Sequence, residues 1–248
     1  MRIYMKKTIL AISDIHGCYD QLKEILHKVN YNSYKHQLIL VGDYVDRGQK
    51  SKQVIDLIMN LVDDGAIALR GNHDQMFLDF LLTNSGVNDQ LFLSNGGLST
   101  IESYVGYEWF TEGVTFESLH EARKFINNNF SEHVRFFYHL PLFHKLDNYL
   151  FVHAGIDPSL SDWILTPAEE MIWIREDFYK KEHPHDFTIV HGHTPCINFH
   201  DSHEPFFVGK RIGIDGGCAY SGQLNCLEIN EDNYIVHSVE KGNKHAVL

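Results

Sequence analysis

Positive charge is scarce in this chain. Lys and Arg together number 21 against 33 Asp and Glu, a formal net charge of −12 with His neutral. No local run of Lys and Arg offsets that balance, so long-range electrostatics would repel nucleic acid, which is an unexpected partner. Proline is scarce too: 6 residues in 248 are too few for long linkers. With no internal repeat and no low-complexity tract, the length fits a single domain over 1–248. The 4 cysteines (Cys18, Cys196, Cys218 and Cys226) form no C-x-x-C pair. That excludes the usual cysteine-built zinc site and suggests free thiols in a reducing compartment. No apolar run is long enough to span a bilayer. The first one, residues 8–12, is too short for a signal-peptide core and runs into Asp14. A cytoplasmic protein without a membrane partner is expected, with translation starting at Met1 or at Met5.

What is present begins with an alternation of short apolar runs and amphipathic segments. Residues 8–13 read as a buried strand, stopped by Asp14 and Gly17. Residues 19–29 read as a helix, with Leu22, Ile25, Leu26 and Val29 on one face. Residues 37–41 and 66–69 repeat the strand pattern; 51–62 and 73–82 repeat the helix pattern. Strand and helix in strict succession predict parallel pairing with helices on the sheet faces. From 83 to about 140 glycines punctuate the chain, and the spacing predicts a mostly helical cap. Its aromatics (Phe92, Tyr104, Tyr107, Trp109, Phe110, Phe116) are expected to pack a small core of the cap's own. Strand patterns return at 149–152, 188–190, 211–214, 224–229 and 234–239, the last two as a hairpin around residues 230–233. The expected fold is α/β: two packed mixed sheets flanked by helices, with the cap as an insertion.

Carboxylates and imidazoles collect where the predicted strands end. Ser13-Asp14-Ile15-His16-Gly17 follows the first strand, Gly42-Asp43-Tyr44-Val45-Asp46-Arg47-Gly48 the second, and Gly71-Asn72-His73-Asp74 the third. His153-Ala154-Gly155 and His191-Gly192-His193-Thr194-Pro195 come later. In sheets of this kind ligands bind at the carboxyl ends of strands. Asp14 and His16, two residues apart in extended chain, point to the same side. Asp14 alone would more often be a helix N-cap, and any single histidine among 17 would more often bind nothing. Taken together, Asp14, His16 and Asp43 can hold one ion, and Asp43, Asn72, His153 and His193 a second, with the Asp43 carboxylate shared. Mixed nitrogen and oxygen donors without thiolate suit manganese, iron or zinc better than calcium. Two divalent ions, manganese first among them, are the expected cofactors, and they would neutralise part of the acidity.

In this order the motifs resemble those of the phosphoprotein phosphatase branch of the calcineurin-like metallophosphoesterases. The family's GDxHG, GDxVDRG, GNHE, HGG-like and GH segments stand here as SDIHG, GDYVDRG, GNHD, HAG and GHTP, and Ile214-Asp215-Gly216-Gly217-Cys218 resembles its late IDxG segment. The likeness spans residues 8–220. Ser13 replaces a common Gly and Asp74 a Glu, changes of expected small consequence. GHTP lacks the second histidine of nuclease-like relatives. The resemblance makes His193 the ligand and leaves His191 a supporting role.

The resemblance implies a metal-dependent phosphatase. Paired cations would bind phosphate oxygens and acidify a bridging water for in-line attack, without a covalent enzyme intermediate. Arg47 would grip phosphate through its planar fork, with Arg175 as a second clamp and Asn72 alongside. His73 would protonate the leaving oxygen, with Asp46 accepting a hydrogen bond from its ring. Phosphoserine and phosphothreonine in proteins are the expected substrates; a dinucleoside polyphosphate is the alternative, and the core motifs do not separate the two. Oligomeric state is not legible in the sequence.

Overall fold

The computed structural model describes residues 7–83, 85–231 and 233–242. The choice between Met1 and Met5, and Asp232 in the expected hairpin turn, lie outside them. In chain order the strands are β1 (Thr8–Ile12), β2 (His36–Leu40), β3 (Ile67–Ala68), β4 (Phe143–Leu146), β5 (Tyr149–Val152), β6 (Thr188–His191), β7 (Phe206–Val208), β8 (Arg211–Gly213), β9 (Gln223–Asn230) and β10 (Asn233–Glu240). The α-helices are α1 (Tyr19–Lys28), α2 (Ser51–Asp63), α3 (Asn72–Leu82), α4 (Gly86–Ser94), α5 (Gly97–Val105), α6 (Phe116–Asn129), α7 (Ser131–His139), α8 (Ala168–Trp173) and α9 (Glu176–Lys180).

The strands form two mixed sheets, ordered β10-β9-β1-β2-β3 and β4-β5-β6-β8-β7. β1, β2 and β3 pair in parallel, while β9 joins β1 antiparallel and carries β10 as the hairpin. In the second sheet β5, β6 and β8 are parallel, and the antiparallel strands β4 and β7 close its edges.

Two-residue periodicity sorts the apolar side chains into layers. Ile9 and Ala11 of β1 point at the second sheet, where they meet Phe151, Val190 and Ile212. Leu10 and Ile12 point the other way, into the layer of α1, α2 and α3. Val54, Ile55, Ile58 and Leu61 of α2 are buried there, as a stripe at helical spacing requires. The far face of the second sheet is covered by Met171 of α8 and Phe178 of α9. Both sheets are thus buried on two faces, which is why their central strands read as continuous apolar runs.

The structure departs from the sequence reading in the cap and at the sheet edges. Phe92 and Tyr104 are buried, but in one continuous cluster with Phe77 and Phe80 of α3 rather than in a core of the cap's own. Tyr107 and Phe116 are exposed, at 56% and 64%. The cap helices therefore lie on α3, whose N-terminus carries Asn72 and His73. β4 and β7 were not foreseen; as short edge strands with one face half in water they lack a buried run.

Candidate metal centre

Every segment singled out in the sequence leaves the same rim of the two sheets. Asp14 and His16 follow β1, Asp43 to Arg47 follow β2, and Asn72 and His73 open α3 just past β3. His153 follows β5 and His193 follows β6. The result is two buried groups of donor atoms, each lying within 4.8 Å of one another: His16, Asp43 and His73, and Asp43, His153 and His193. Asp43 belongs to both. Its Oδ2 lies 3.6 Å from His16 Nε2 and 3.4 Å from His153 Nε2. Asn72 joins the second group, with Oδ1 3.0 Å from His153 Nε2 and 2.9 Å from His193 Nδ1. Asp14 stands at the edge: its carboxylate accepts the backbone N–H of His193 at 3.0 Å and a hydrogen bond from the Ser13 hydroxyl.

The donor set fits divalent transition ions. His16 Nδ1 donates to the Val45 carbonyl at 2.7 Å and His153 Nδ1 to the Val41 carbonyl at 2.9 Å. A carbonyl can only accept, so each ring must carry a hydrogen on Nδ1, which leaves Nε2 as the atom turned toward Asp43. This is how ligand histidines are commonly oriented. Carboxylate, amide oxygen and imidazole without sulfur match the manganese, iron and zinc class.

The backbone bends to bring these groups together. Asp14, His16, Asp43, Asp46, Arg47 and His193 all have positive φ, between 45° and 73°. That region is disfavoured for side-chain-bearing residues and concentrates at functional sites. Close approach is enforced at Gly71, where an added Cβ would lie 2.1 Å from Asp43 Oδ1. Asp74 secures the same corner: one oxygen accepts the backbone N–H groups of Asp43 and Gly71, both at 2.8 Å, and the other accepts that of Tyr44 at 3.0 Å. The GDYVDRG and GNHD loops are tied together by this one side chain. The sequence reading gave Asp74 and Ser13 little weight; their contacts within the motif loops give both a part.

Burial and mutual charge set the protonation pattern. Burial opposes a charged His153, but the Asp43 and Asp14 carboxylates outweigh it and raise the imidazole to about 10. Burial, His73 and the Arg47 guanidinium hold His16 well below its usual value, Asp43 notwithstanding. Burial would raise Asp43, but its histidine neighbours, His153 foremost, hold it well below the ordinary carboxylate range. Asp14 is raised to about 6 by burial, with Asp43 adding to the effect. His191 lies in neither donor group; it packs on Phe178, and burial lowers it to about 4.

The arginines read as phosphate-binding flank the donors, while His73, read as the acid, is itself a member of the first donor group. Arg47 Nη1 lies 2.5 Å from His16 Nε2, and Arg175 Nε donates to His193 Nε2 at 2.9 Å. One arginine thus flanks each donor group. His73 Nδ1 and Asp46 Oδ2 are 2.6 Å apart, both buried. Asp46 is fixed by Thr100 of α5, whose hydroxyl accepts its backbone N–H and donates to its Oδ1, both at 2.7 Å. Tyr220 lies under the Arg47 guanidinium, 4.7 Å from ring centroid to Cζ. Sequence reading missed Thr100 and Tyr220, which lie outside every motif; no periodicity or spacing pointed to either.

Comparison with known proteins agrees with this geometry. Residues 7–236 match the calcineurin-like phosphoesterase family. The chain is 30% identical over 245 residues to a bis(5′-nucleosyl)-tetraphosphatase PrpE, asymmetrical, of Geobacillus thermodenitrificans, covering 89% of each chain. It is 28% identical over 252 residues to the like-named protein of Oceanobacillus iheyensis, covering 90% of this chain and 89% of that one. Among solved structures it superposes on one assigned to a diadenosine tetraphosphatase with a TM-score of 0.62, at 20% identity, over 98% of this chain and 96% of that. A serine/threonine phosphatase of Saccharomyces cerevisiae gives 0.62 at 17% identity, over 97% and 82%. At such identities the two superpositions speak for the fold. Among the described residues no helix is long and apolar enough to cross a membrane. The chain belongs to the calcineurin-like phosphoesterases, metal-dependent hydrolases of phosphoric esters built around a binuclear centre.

Proposed function

We propose that the chain hydrolyses dinucleoside polyphosphates, splitting a bis(5′-nucleosyl) tetraphosphate asymmetrically into nucleoside mono- and triphosphate. The observation that carries this reading is whole-length similarity to proteins named for that activity, 30% identical over 89% of both chains. It reverses the order of substrates expected from the sequence, where phosphoserine and phosphothreonine came first. The core motifs suit both, and the similarity to the yeast protein phosphatase is one of fold.

Asp14, His16, Asp43, Asn72, His153 and His193 hold two divalent cations in this reading. Bound there, such ions supply charge neutralisation for the phosphoryl oxygens and acidify the attacking water. Arg47 and Arg175 stand on either side of the donor groups, so a phosphate between them meets two planar forks. His73 is tethered through Nδ1 to Asp46, which frees Nε2 to hand a proton to the departing oxygen. Burial keeps water from competing for that tether.

The test is kcat/KM for diadenosine tetraphosphate against a phosphoserine peptide, with product analysis. The expected result is a clear preference for the tetraphosphate, giving ATP and AMP in equal amounts. A preference for the peptide, or ADP as the product, overturns the reading.

A further inference from the structure

Two cavities open beside Arg47, and their chemistry differs. One, of about 440 Å³, is lined by Gly17, Tyr19, Gly48, Lys50 and Lys241 as well as Arg47. The other, of about 320 Å³, runs from Arg47 past Arg175 and His193 to Ile197, Asn198 and Tyr220. The first is basic: among the described residues that line it, Arg47, Lys50 and Lys241 stand against one carboxylate, Asp20. Lys50 meets that carboxylate at 2.5 Å, but both side chains are about half exposed, so the pair is weak and can yield to a phosphate. The second offers apolar surface that water reaches, Tyr220 at 58% and Ile197 at 42% exposed.

Their positions differ in a way that matters for hydrolysis. The basic groove begins at Gly17, next to His16, whose ring lies 4.6 Å from that of His73. It therefore opens on the side of the acid. The Tyr220 cavity shares Arg47 with it but extends to Arg175 and His193, beside the second donor group.

Resting on the dinucleoside polyphosphate reading above, we propose that the substrate's two arms part at Arg47. The departing triphosphate arm lies in the groove of Lys50 and Lys241. The nucleoside on the attacked phosphorus lies against Tyr220 and Ile197. In the reaction a water oxygen bonds to that phosphorus and the bridging P–O bond breaks. The departing triphosphate oxygen is protonated from the His73 side, and the water's own proton is released, giving one monophosphate and one triphosphate. The lysines balance the charge that leaves with the triphosphate. A base needs no complementary charge, and it can stack on an aromatic ring.

The experiment uses the full chain loaded with manganese. It compares kcat/KM for diadenosine tetraphosphate with that for p-nitrophenyl phosphate, which has no polyphosphate arm. Each rate is measured in the unsubstituted protein and in a Lys50→Gln, Lys241→Gln double variant. The ratio of the two values corrects for any loss of folded protein. It is expected to fall about tenfold, the sum of two exposed charge contacts. By calorimetry the double variant should weaken binding of ATP, supplied as its magnesium complex, more than binding of AMP. Tyr220→Leu should do the reverse. An unchanged ratio, or equal losses for ATP and AMP in both variants, overturns the division of arms while leaving the tetraphosphatase reading in place. Failure of the unsubstituted protein to cleave the tetraphosphate overturns both.

Discussion

His16 and His153 share one carboxylate and respond to it in opposite ways. Each offers Nε2 to Asp43, at 3.6 Å and 3.4 Å. Each is buried and fixed by a backbone carbonyl. Yet burial and cationic neighbours hold His16 well below its usual value, while His153 is raised to about 10. The difference lies in what stands behind each ring. His16 has His73 and the Arg47 guanidinium; His153 has Asp14. The two halves of the centre are thus unequal before any substrate arrives. The His16 half meets a proton with positive charge already in place. The His153 half attracts a proton, which a cation bound there would have to displace.

Removing the shared carboxylate should abolish the comparison and give the largest effect. Asp43→Asn takes away the donor common to both halves, so metal content and turnover should fall together. The expected loss in kcat/KM is about a thousandfold, since such ions contribute several kcal/mol to the transition state. Full turnover with reduced metal content would contradict it.

His73→Asn tests the His16 half alone. Metal content should be unchanged, and turnover of an alkyl phosphate should fall about 100-fold, the ordinary scale of acid catalysis. The loss on diadenosine tetraphosphate should be smaller. A departing triphosphate is far less basic than an alkoxide and needs its proton less. Equal losses on the two substrates would rule out proton donation as the function of His73.

The His153 half should show itself in pH dependence. Its folded value, about 10, lies above the usual 6.5. In protein stripped by chelator, its contribution to stability is therefore complete below pH 6.5 and is lost as pH rises through 10. A ligand histidine must be neutral, so apparent metal affinity should rise about tenfold per pH unit between pH 7 and 9, with release of about one proton. Calorimetry in buffers of different ionisation enthalpy counts that proton. No proton release at pH 8 would place His153 outside the centre.

Thr100→Val sharpens the comparison from the cap side and should have the smallest effect. It removes both hydrogen bonds that Thr100 makes to Asp46. Turnover should drop a few-fold, in line with loss of about 1 kcal/mol of orientation, with metal affinity unchanged. A matching loss of metal would mean that the cap supports the ligands and not His73.

Most of the candidate centre was legible in the sequence because short-range rules place its residues. Apolar runs ending in Asp14, Asp43 and Asn72 could be read as strand ends, and strand ends on one edge of a parallel sheet must converge. The layered fold followed from the same alternation. The contributions of Thr100 and Tyr220 were illegible. Each reaches the site from an element with no motif, and only tertiary packing brings it there. The packing of the helices in residues 83–140 was misjudged. Phe92 and Tyr104 are apolar at helical spacing whether they face one another or face α3, and periodicity gives no partner.

A crystal soaked in manganese, with anomalous scattering recorded at the metal edge, tests the central claim most directly. The account expects two peaks per chain, both in contact with Asp43, one reached by His16 and the other by His153 and His193. A single peak, or two peaks that do not share Asp43, would contradict it.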